Sequence, residues 1–208
     1  MRIMNKARFV AIVRHRIQTD GQGVTTLCGF YGCPLRCKYC LNPHSFSEKT
    51  KTIDLTPQEL FERVKIDDLY YLATGGGVTF GGGEPLLYPE FIKEFRSLCG
   101  DKWRLCAETA LNVPLDSVKT AAQVIDEFFV DIKDMDPDVY KNYTGRDNKA
   151  TIENLKYLIS AVGSERITVR IPLIKGFNSE SDREYSEALL REMGFTRFDR
   201  FEYKIKEH

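Results

Sequence analysis

The stretch Val24-Thr-Thr-Leu-Cys-Gly-Phe-Tyr-Gly-Cys33-Pro-Leu-Arg-Cys37-Lys-Tyr-Cys40 joins an apolar run to three closely spaced cysteines. The run Val24–Phe30 has the composition of a strand, because β-branched and aromatic residues favour extended backbone. Cys33, Cys37 and Cys40 follow in one loop, so their thiolates can bind a single metal centre. Three thiolates leave an iron–sulfur cube one ligand short, and metal chemistry takes place at such an open position. The stretch therefore predicts a strand that ends at a reactive metal site.

Two other kinds of metal site remain open for clustered cysteines. Structural zinc needs four ligands, usually as two separated pairs, and His44 is the one nearby candidate for a fourth. An electron-transfer cluster needs four cysteines, with a spacing that differs from the three-then-two gaps seen here. The remaining cysteines, Cys28, Cys99 and Cys106, stand alone in the sequence. We interpret them as small buried core residues.

Strand-like runs alternate with amphipathic helical stretches along the rest of the chain. After the first strand, we predict strands at 77–80, 104–109, 127–133, 166–174 and 198–205. Helices are predicted at 57–65, 89–98, 115–124, 136–143, 151–162 and 179–193. Six strands separated by helices favour an α/β fold with a parallel sheet wound in one sense.

Candidate functional residues recur where these strands end. In parallel α/β folds the carboxyl ends of the strands form the site, so residues at those ends are expected to meet. A glycine-rich turn, Gly81 to Glu84, follows the second strand, and Thr109 ends the third. Asp131 and Lys133 end the fourth strand. The repeated coincidence of polar residues and strand ends predicts one site at this edge of the sheet.

The bulk composition indicates an ordinary globular protein. Thirty basic and thirty acidic residues give a net charge of zero, which offers no basic surface for nucleic acid or anionic membranes. No apolar run is long enough to span a membrane, and Arg14, His15 and Arg16 interrupt the short run that could start a signal peptide. We expect a cytoplasmic protein with reduced cysteines. We also expect one domain over residues 1–208, with a lead-in at 1–23.

The cysteine loop, with Tyr39 as the aromatic residue before Cys40, resembles the signature of the radical S-adenosylmethionine (SAM) superfamily. In that superfamily the three thiolates bind a [4Fe–4S] cluster whose fourth iron is chelated by S-adenosylmethionine. Reductive cleavage of the sulfonium then releases a 5′-deoxyadenosyl radical, while the protein holds and directs the cofactor. The turn Gly81-Gly-Gly-Glu-Pro85 resembles the motif whose backbone meets the methionine amino group. The resemblance assigns Tyr39, Gly82, Gly83 and Glu84 to cofactor binding.

A closer likeness, from about Thr19 to about Tyr203, is to the activating enzymes of glycyl radical enzymes, of the pyruvate formate-lyase activase type. Asp20-Gly21-Gln22-Gly23 resembles their Asp-Gly-Pro-Gly segment, which makes Asp20 and Gly21 candidate substrate-binding residues. The likeness implies that the chain abstracts a glycine Cα hydrogen from a partner glycyl radical enzyme. It further implies flavodoxin or ferredoxin as the electron donor, and we expect a monomer.

The same resemblance implies further site residues near the later strand ends. Asp131-Ile-Lys133 is similar to the family's Asp-x-Lys, which contacts the ribose and carboxylate of the cofactor. Glu108, Thr109 and Asp131 stand where relatives hold a monovalent cation. The cofactor's other expected contacts are Arg170, Ile174 and Gly176 on the adenine side, with Lys204 where the family often has histidine.

The resemblance implies a partial TIM barrel, (β/α)6, which is open on one side. The interval between Cys40 and Gly81 is too short for an auxiliary cluster domain. Two alternatives to the activase function remain. A radical SAM enzyme acting on a small molecule, such as a 7-deazaguanine-type synthase, would share the length and cluster motif. A structural module that binds zinc or a cluster is the non-enzymatic alternative.

Overall fold

The computed structural model describes residues 5–203 of the chain. Its strands are β1 (Ala7–Ile17), β2 (Val24–Phe30), β3 (Ile53–Leu55), β4 (Gly77–Gly82), β5 (Arg104–Thr109), β6 (Glu127–Asp131), β7 (Ile167–Leu173) and β8 (Arg197–Glu202). Its helices are α1 (Pro57–Val64), α2 (Asp68–Thr74), α3 (Pro89–Cys99), α4 (Leu115–Ala122), α5 (Pro137–Thr144), α6 (Lys149–Val162) and α7 (Glu180–Glu192). None of the helices within residues 5–203 has the length and apolar character that crossing a membrane requires.

One twisted sheet connects all the described strands, in the order β3-β1-β2-β4-β5-β6-β7-β8. The six strands β2, β4, β5, β6, β7 and β8 run parallel to one another. β3 and β8 lie at opposite edges and do not pair with each other, so the sheet stays open. The predicted α/β fold with an open (β/α)6 partial barrel is therefore confirmed. That residues 1–208 form a single domain stays a prediction.

Two antiparallel strands, absent from the sequence prediction, extend the sheet beyond β2. β1 pairs with both β2 and β3 and uses residues that the sequence indicated as a lead-in. Its alternation of buried and exposed residues holds only near Ala7 and Phe9, and its register shifts between Val13 and Arg16. His15, with φ of 57°, lies in this irregular part. A bulged strand that runs from five consecutive apolar residues at 9–13 into three basic residues at 14–16 gives no clear period-two pattern.

Helix α2 was also missed in the sequence prediction. It has seven residues and buries only Tyr71, while Leu69, Tyr70 and Leu72 point to solvent. A short helix whose apolar side chains are mostly exposed has no stripe at helical spacing to reveal it. The predicted helices are present with small shifts at their ends, and Thr56 and Glu59 form a capping box at the start of α1.

The two faces of the sheet differ in chemistry. The outer face packs beneath the helices and contributes Phe80, Leu105, Phe128 and Val169 to the core. The inner face, the side of the sheet away from the helices, carries polar side chains at the alternate positions of the same strands. These inner-face side chains include Thr79, Glu108, Glu127, Asp131, Thr168 and Arg170. Side chains alternate across a strand, so one period-two pattern produces both a helix-covered core and a polar interior.

Close strand packing at the start of β4 generates a stability prediction. A Cβ added at Gly77 would lie 2.1 Å from the carbonyl oxygen of Arg104 in β5. Because backbone cannot move aside as a flexible side chain does, we expect Gly77→Ala to lower the free energy of unfolding by about 3 kcal/mol or more. Urea denaturation followed by the fluorescence of Trp103, the single tryptophan, measures this.

Gly145→Ala is the matched control. Gly145 has φ of +75° and no atom within 4 Å of an added Cβ, so only backbone strain applies. Its cost should be about 1–2 kcal/mol. An equal decrease in the free energy of unfolding for the two variants would contradict the close approach of β4 and β5.

Candidate cluster and cofactor site

The loop that carries the three cysteines is held by backbone hydrogen bonds to neighbouring elements. The amide of Gly32 donates to the carbonyl of Ser45 at 2.6 Å. The amides of Arg36 and Lys38 donate to Thr144 and Tyr143 at the end of α5, at 2.9 and 3.1 Å. These bonds fix both sides of Cys37, so the loop has a defined shape although its sequence is not helical or extended.

Cys33, Cys37 and Cys40 are all half-buried in this loop, whereas Cys28, Cys99 and Cys106 are buried in the core as predicted. Burial, together with the charge of Glu84, raises the pKa of Cys33 to about 12. Burial also raises the pKa of Cys37, an effect that the ammonium of Lys133 opposes. Within residues 5–203, no three Cys, His, Asp or Glu side chains come together closely enough for a single ion. A cube binds each thiolate at a different iron and does not require such convergence.

The glycine turn after β4 is joined to the cysteine loop. The amide of Gly83 donates to Phe30 at 2.9 Å, and that of Glu84 donates to Gly32 at 2.8 Å. A Cβ at Gly83 would lie 2.1 Å from the oxygen of Gly32, and one at Gly82 would lie 2.6 Å from Cα of Gly29. The glycines are therefore required because two backbone segments approach each other closely here. From the sequence alone, we attribute them instead to contact between the main chain and a ligand.

Glu84 is almost fully buried and ties three segments together. Its carboxylate accepts hydrogen bonds from the hydroxyl of Thr109 at 2.7 Å and from the amides of Ala110 and Leu86 at 2.9 and 3.1 Å. Burial raises its pKa to about 7, although these three donors favour the charged form. Both oxygens are engaged within the protein, so the structure gives Glu84 a positioning role at the end of β5.

A cluster of charges lies where β5, β6 and β7 end. Lys133 is buried, with Nζ 3.4 Å from Asp131 and 2.9 Å from the hydroxyl of Tyr203. Although burial opposes its charge, Asp131 and Tyr203 raise the pKa of Lys133 well above its ordinary value. Arg170 lies 2.7 Å from Glu108 and 3.9 Å from Asp131. The structure thus brings these predicted residues together through direct ion pairs.

The remaining predicted residues have varied settings. Asp20 is buried and forms an ion pair with Arg16, and its carbonyl accepts a hydrogen bond from the hydroxyl of Thr79. Gly21 has φ of +132°, which favours glycine at this position. Ile174 is fully buried, and Gly176 lies in an exposed turn with φ of +82°. Lys204 lies outside the described residues.

Sequence reasoning missed an aromatic group that packs beside the cysteine loop. The ring of Tyr39 lies 6.2 Å from that of Tyr143 and 5.6 Å from that of Phe177. Tyr203 lies 6.1 Å from Tyr143 and also contacts Lys133. Only Tyr39 was predicted, from the cysteine spacing. The others come from the end of α5, the loop after β7 and the residue after β8, and no local pattern connects such distant positions.

This arrangement of residues lies within a match to a known protein family. The profile described as the radical SAM superfamily matches residues 28–189, which include the cysteine loop, the glycine turn and the charge cluster. The chain belongs to the radical SAM superfamily. A [4Fe–4S] cluster and S-adenosylmethionine are the cofactors of this enzyme family. The resemblance to activating enzymes is also confirmed by named relatives.

Two relatives illustrate this similarity. The (2S)-3-sulfopropanediol dehydratase activating enzyme of Klebsiella oxytoca is 29% identical over 238 residues, covering 84% of this chain and 74% of that protein. The pyruvate formate-lyase 2-activating enzyme of Escherichia coli K12 is 32% identical over 201 residues, covering 82% of this chain and 68% of that protein.

A solved structure shows the same fold at lower identity. Streptococcus suis SuiB, bound to S-adenosylmethionine, superposes with a TM-score of 0.64 at 16% identity. The match covers 84% of this radical SAM chain and 39% of SuiB. At this identity the similarity concerns the fold alone.

The residues present in the site fit the two cofactors. Three half-buried thiols in one anchored loop supply the donors that a cluster with one open iron needs. The adjacent cations Lys133 and Arg170 offer partners for a carboxylate, and Asp131 offers one for an amine or hydroxyl. Because positive and negative side chains lie within a few ångströms of each other, this region suits a methionine group that carries both an ammonium and a carboxylate.

The buried carboxylate of Glu84 generates a second prediction. Glu84→Gln replaces one acceptor oxygen by an NH2 group, so that an amide donor faces the donor Ala110 or Thr109. We expect a loss of about 1–3 kcal/mol in the free energy of unfolding, because a buried donor is left unsatisfied. S-adenosylmethionine should also bind more weakly to the reconstituted variant, as measured by calorimetry.

Glu62→Gln is the matched control, since Glu62 lies at the surface of α1 beside Lys65. It should leave both the denaturation midpoint and cofactor affinity unchanged. A Glu84→Gln protein as stable as the wild type would show that the carboxylate does not hold the end of β5 in place.

Proposed function

We propose that the chain activates a partner glycyl radical enzyme by abstracting a hydrogen atom from a backbone glycine. The observation that carries the proposal is the similarity over most of the chain to proteins named as activating enzymes, at 29% and 32% identity. When bound and given one electron by an external donor, the cofactors would supply a carbon-centred radical by cleavage of the bond between the sulfur and the 5′ carbon of S-adenosylmethionine, with methionine as the leaving group. Transfer of a hydrogen atom from the glycine Cα to that carbon would give 5′-deoxyadenosine and leave the unpaired electron on the glycine.

A cavity on the inner face supports a polypeptide substrate. It has a volume of about 470 Å³ and lies between the segment that contains Gly21 and strands β5 to β8. Arg104, Glu127 and Arg197, the first residues of β5, β6 and β8, line it, so the cavity opens at the amino ends of the strands. Arg170, in the middle of β7, also lines it and connects it to the charge cluster. Its lining of arginine, acidic and threonine side chains suits the amides and carbonyls of an extended loop. We propose that Asp20 and Gly21 contact the partner's glycine loop there.

We propose that the cofactor's polar groups are held by residues at the strand ends. Asp131, Lys133 and Arg170 would bind the ribose and methionine groups, and the backbone at Gly82 and Gly83 would meet the amino group. Tyr39, Ile174 and Gly176 are proposed on the adenine side. Lys133 would keep its positive charge there, because Asp131 and Tyr203 raise its pKa.

The proposed monovalent cation would have to share its ligands. The guanidinium of Arg170 already pairs with Glu108 and lies 3.9 Å from Asp131. The hydroxyl of Thr109 donates to Glu84 and accepts from the amide of Leu111. Arg170 therefore supplies positive charge between the same two carboxylates, and cation binding by Glu108, Thr109 and Asp131 stays a prediction.

Anaerobic activation tests the proposal directly. The reconstituted chain is incubated with S-adenosylmethionine, a chemical reductant and purified pyruvate formate-lyase or (2S)-3-sulfopropanediol dehydratase. We expect a glycyl radical signal in electron paramagnetic resonance together with 5′-deoxyadenosine. Cys37→Ala should lose both, because two thiolates hold a cube poorly.

The outcome distinguishes the alternatives. Cofactor cleavage without a protein radical, for each of these partners, would overturn the activase proposal and favour a small-molecule substrate. Zinc at one per chain with no iron after reconstitution would favour a structural module. Survival of cofactor cleavage in Cys37→Ala would contradict the assignment of the ligands.

We also propose an acidic electron-transfer protein, of the flavodoxin or ferredoxin kind, as the electron donor. Four exposed cations form a basic surface on the cysteine loop and at the adjoining end of α5: Arg36, Lys38, Lys141 and Arg146. The loop bonds directly to the end of α5, and Arg146 donates to the carbonyl of Pro34 at 3.3 Å. None of the four cations forms an ion pair with a residue in the 5–203 range.

Charge reversal on this surface generates a further prediction. The double variant Lys38→Glu, Lys141→Glu should slow cluster reduction by flavodoxin about tenfold or more at low salt, because surface charges steer association. Reduction by dithionite should be unaffected. Stopped-flow absorbance of the cluster measures both rates, and added salt should narrow the difference.

Lys156→Glu, on the exposed surface of α6, is the control and should leave both rates unchanged. Equal flavodoxin rates for the double variant and the wild type would rule out this surface as the docking site.

A further inference from the structure

The hydroxyl of Tyr203 holds the buried ammonium of Lys133 from a distant part of the chain. Lys133 lies two residues after the end of β6, whereas Tyr203 directly follows β8. Nζ of Lys133 donates a hydrogen bond to the hydroxyl at 2.9 Å and lies 5.6 Å from the centre of the tyrosine ring. Because Lys133 is buried, this contact replaces hydrogen bonding that water would otherwise provide to the ammonium.

Tyr203 is itself held in place by contacts on two sides. Its amide donates to the carbonyl of Leu173, at the end of β7, at 3.2 Å. Its ring lies 5.3 Å from that of Phe201 and 6.1 Å from that of Tyr143. The carbonyl of Tyr143 accepts in turn from the amide of Lys38, in the cysteine loop, at 3.1 Å. The phenol is therefore tied both to the sheet and to the cysteine loop, so its oxygen is an acceptor at a fixed position.

The contacts of Lys133 within the described residues do not use all of its donors. An ammonium carries three N–H groups and no acceptor. Among residues 5–203, its polar partners are the hydroxyl of Tyr203 and the carboxylate of Asp131, whose oxygen lies 3.4 Å away. These two partners leave one N–H group for a ligand that brings a negative charge of its own.

The two partners act differently on the positive charge of Lys133. The carboxylate of Asp131 is anionic and also lies 3.9 Å from Arg170. If Asp131 alone held Lys133, the ammonium would turn toward it, and much of its charge would be compensated within the protein. A phenol is an uncharged acceptor, so it orients the ammonium without cancelling that charge. Lysine needs such a restraint because its four-carbon side chain is flexible.

We propose that Tyr203 is a positioning residue that holds the ammonium of Lys133 in place for the carboxylate of S-adenosylmethionine. This role rests on the proposed contact between Lys133 and the cofactor, and it adds the group that sets the direction of that contact. A restrained ammonium binds a carboxylate more tightly than a mobile one, because less side-chain freedom is lost on binding. Tyr203 acts through Lys133 and carries no step of the reaction itself.

Calorimetric titration of the anaerobically reconstituted protein, without reductant or partner enzyme, tests this role. Tyr203→Phe keeps the ring and removes only the hydroxyl, and it should bind S-adenosylmethionine about tenfold more weakly. Decarboxylated S-adenosylmethionine lacks the carboxylate, so it should bind to wild type and Tyr203→Phe with equal affinity. Unchanged affinity for S-adenosylmethionine, or an equal loss for the two ligands, would overturn the proposal.

Tyr71→Phe is the matched control, because it removes a phenol that bonds to Thr26 in the core. It should leave the affinity for both ligands unchanged. A tenfold loss in this variant as well would overturn the proposal, since any lost phenol would then have the same effect. If Tyr203→Phe does not retain its cluster, Tyr203→Leu takes its place, with the same difference expected between the two ligands.

Lys133→Met separates the role of Tyr203 from the contact on which it rests. This variant should bind S-adenosylmethionine about tenfold or more weakly, and adding Tyr203→Phe should cause no further loss. Additive losses would overturn the proposal. A loss in Lys133→Met with none in Tyr203→Phe would overturn the role of Tyr203 alone, whereas full affinity in Lys133→Met would overturn both. Since no partner enzyme takes part, the result is independent of whether the chain activates a glycyl radical enzyme.

Discussion

The site depends on the junction between the ends of β2 and β4. Two backbone hydrogen bonds, from Gly83 to Phe30 and from Glu84 to Gly32, join the glycine turn to the cysteine loop. Neither bond would form if a side chain stood at Gly83, because its Cβ would overlap the carbonyl of Gly32. Glu84 then extends the junction to the end of β5 through Thr109 and Ala110. The cysteine loop, the glycine turn and the end of β5 are therefore placed relative to one another largely by main-chain geometry and by one buried carboxylate.

The interior of the partial barrel is polar because strand alternation allows one face to be covered by helices and the other to serve the site. Glu108, Asp131 and Arg170 satisfy one another across three neighbouring strands. Half-buried ions lose much of their hydration, so each is tolerated only with an opposite charge nearby. The same pairing keeps these groups charged and oriented before any ligand binds, which reduces the reorganisation that binding requires.

Much of this organisation could be predicted from the sequence. The apolar runs ending in glycine, acid or lysine located the parallel strands. The cysteine spacing predicted a cluster loop, and its assignment as the cluster ligand stays a prediction. The antiparallel strand β1 could not be found, because Arg14, His15 and Arg16 hide its period and its bulge shifts the register. The roles of Glu84 and Tyr203 were also hidden. Their partners are far away in the sequence, and long-range hydrogen bonds leave no local pattern.

Among residues 5–203, β8 is an edge of the sheet with a neighbour on one side only, which has a consequence for self-association. An unpaired edge strand offers backbone donors and acceptors to any extended chain, including another copy of the same protein. In β8 the side chains of Arg197, Asp199, Arg200 and Glu202 alternate in sign with little apolar surface between them. Arg197 and Arg200 are further held by Glu127, Glu180 and Glu187 of the same chain. These charged side chains disfavour the pairing of β8 with an extended segment of another chain. The edge strand is therefore protected from edge-to-edge association by its own sequence.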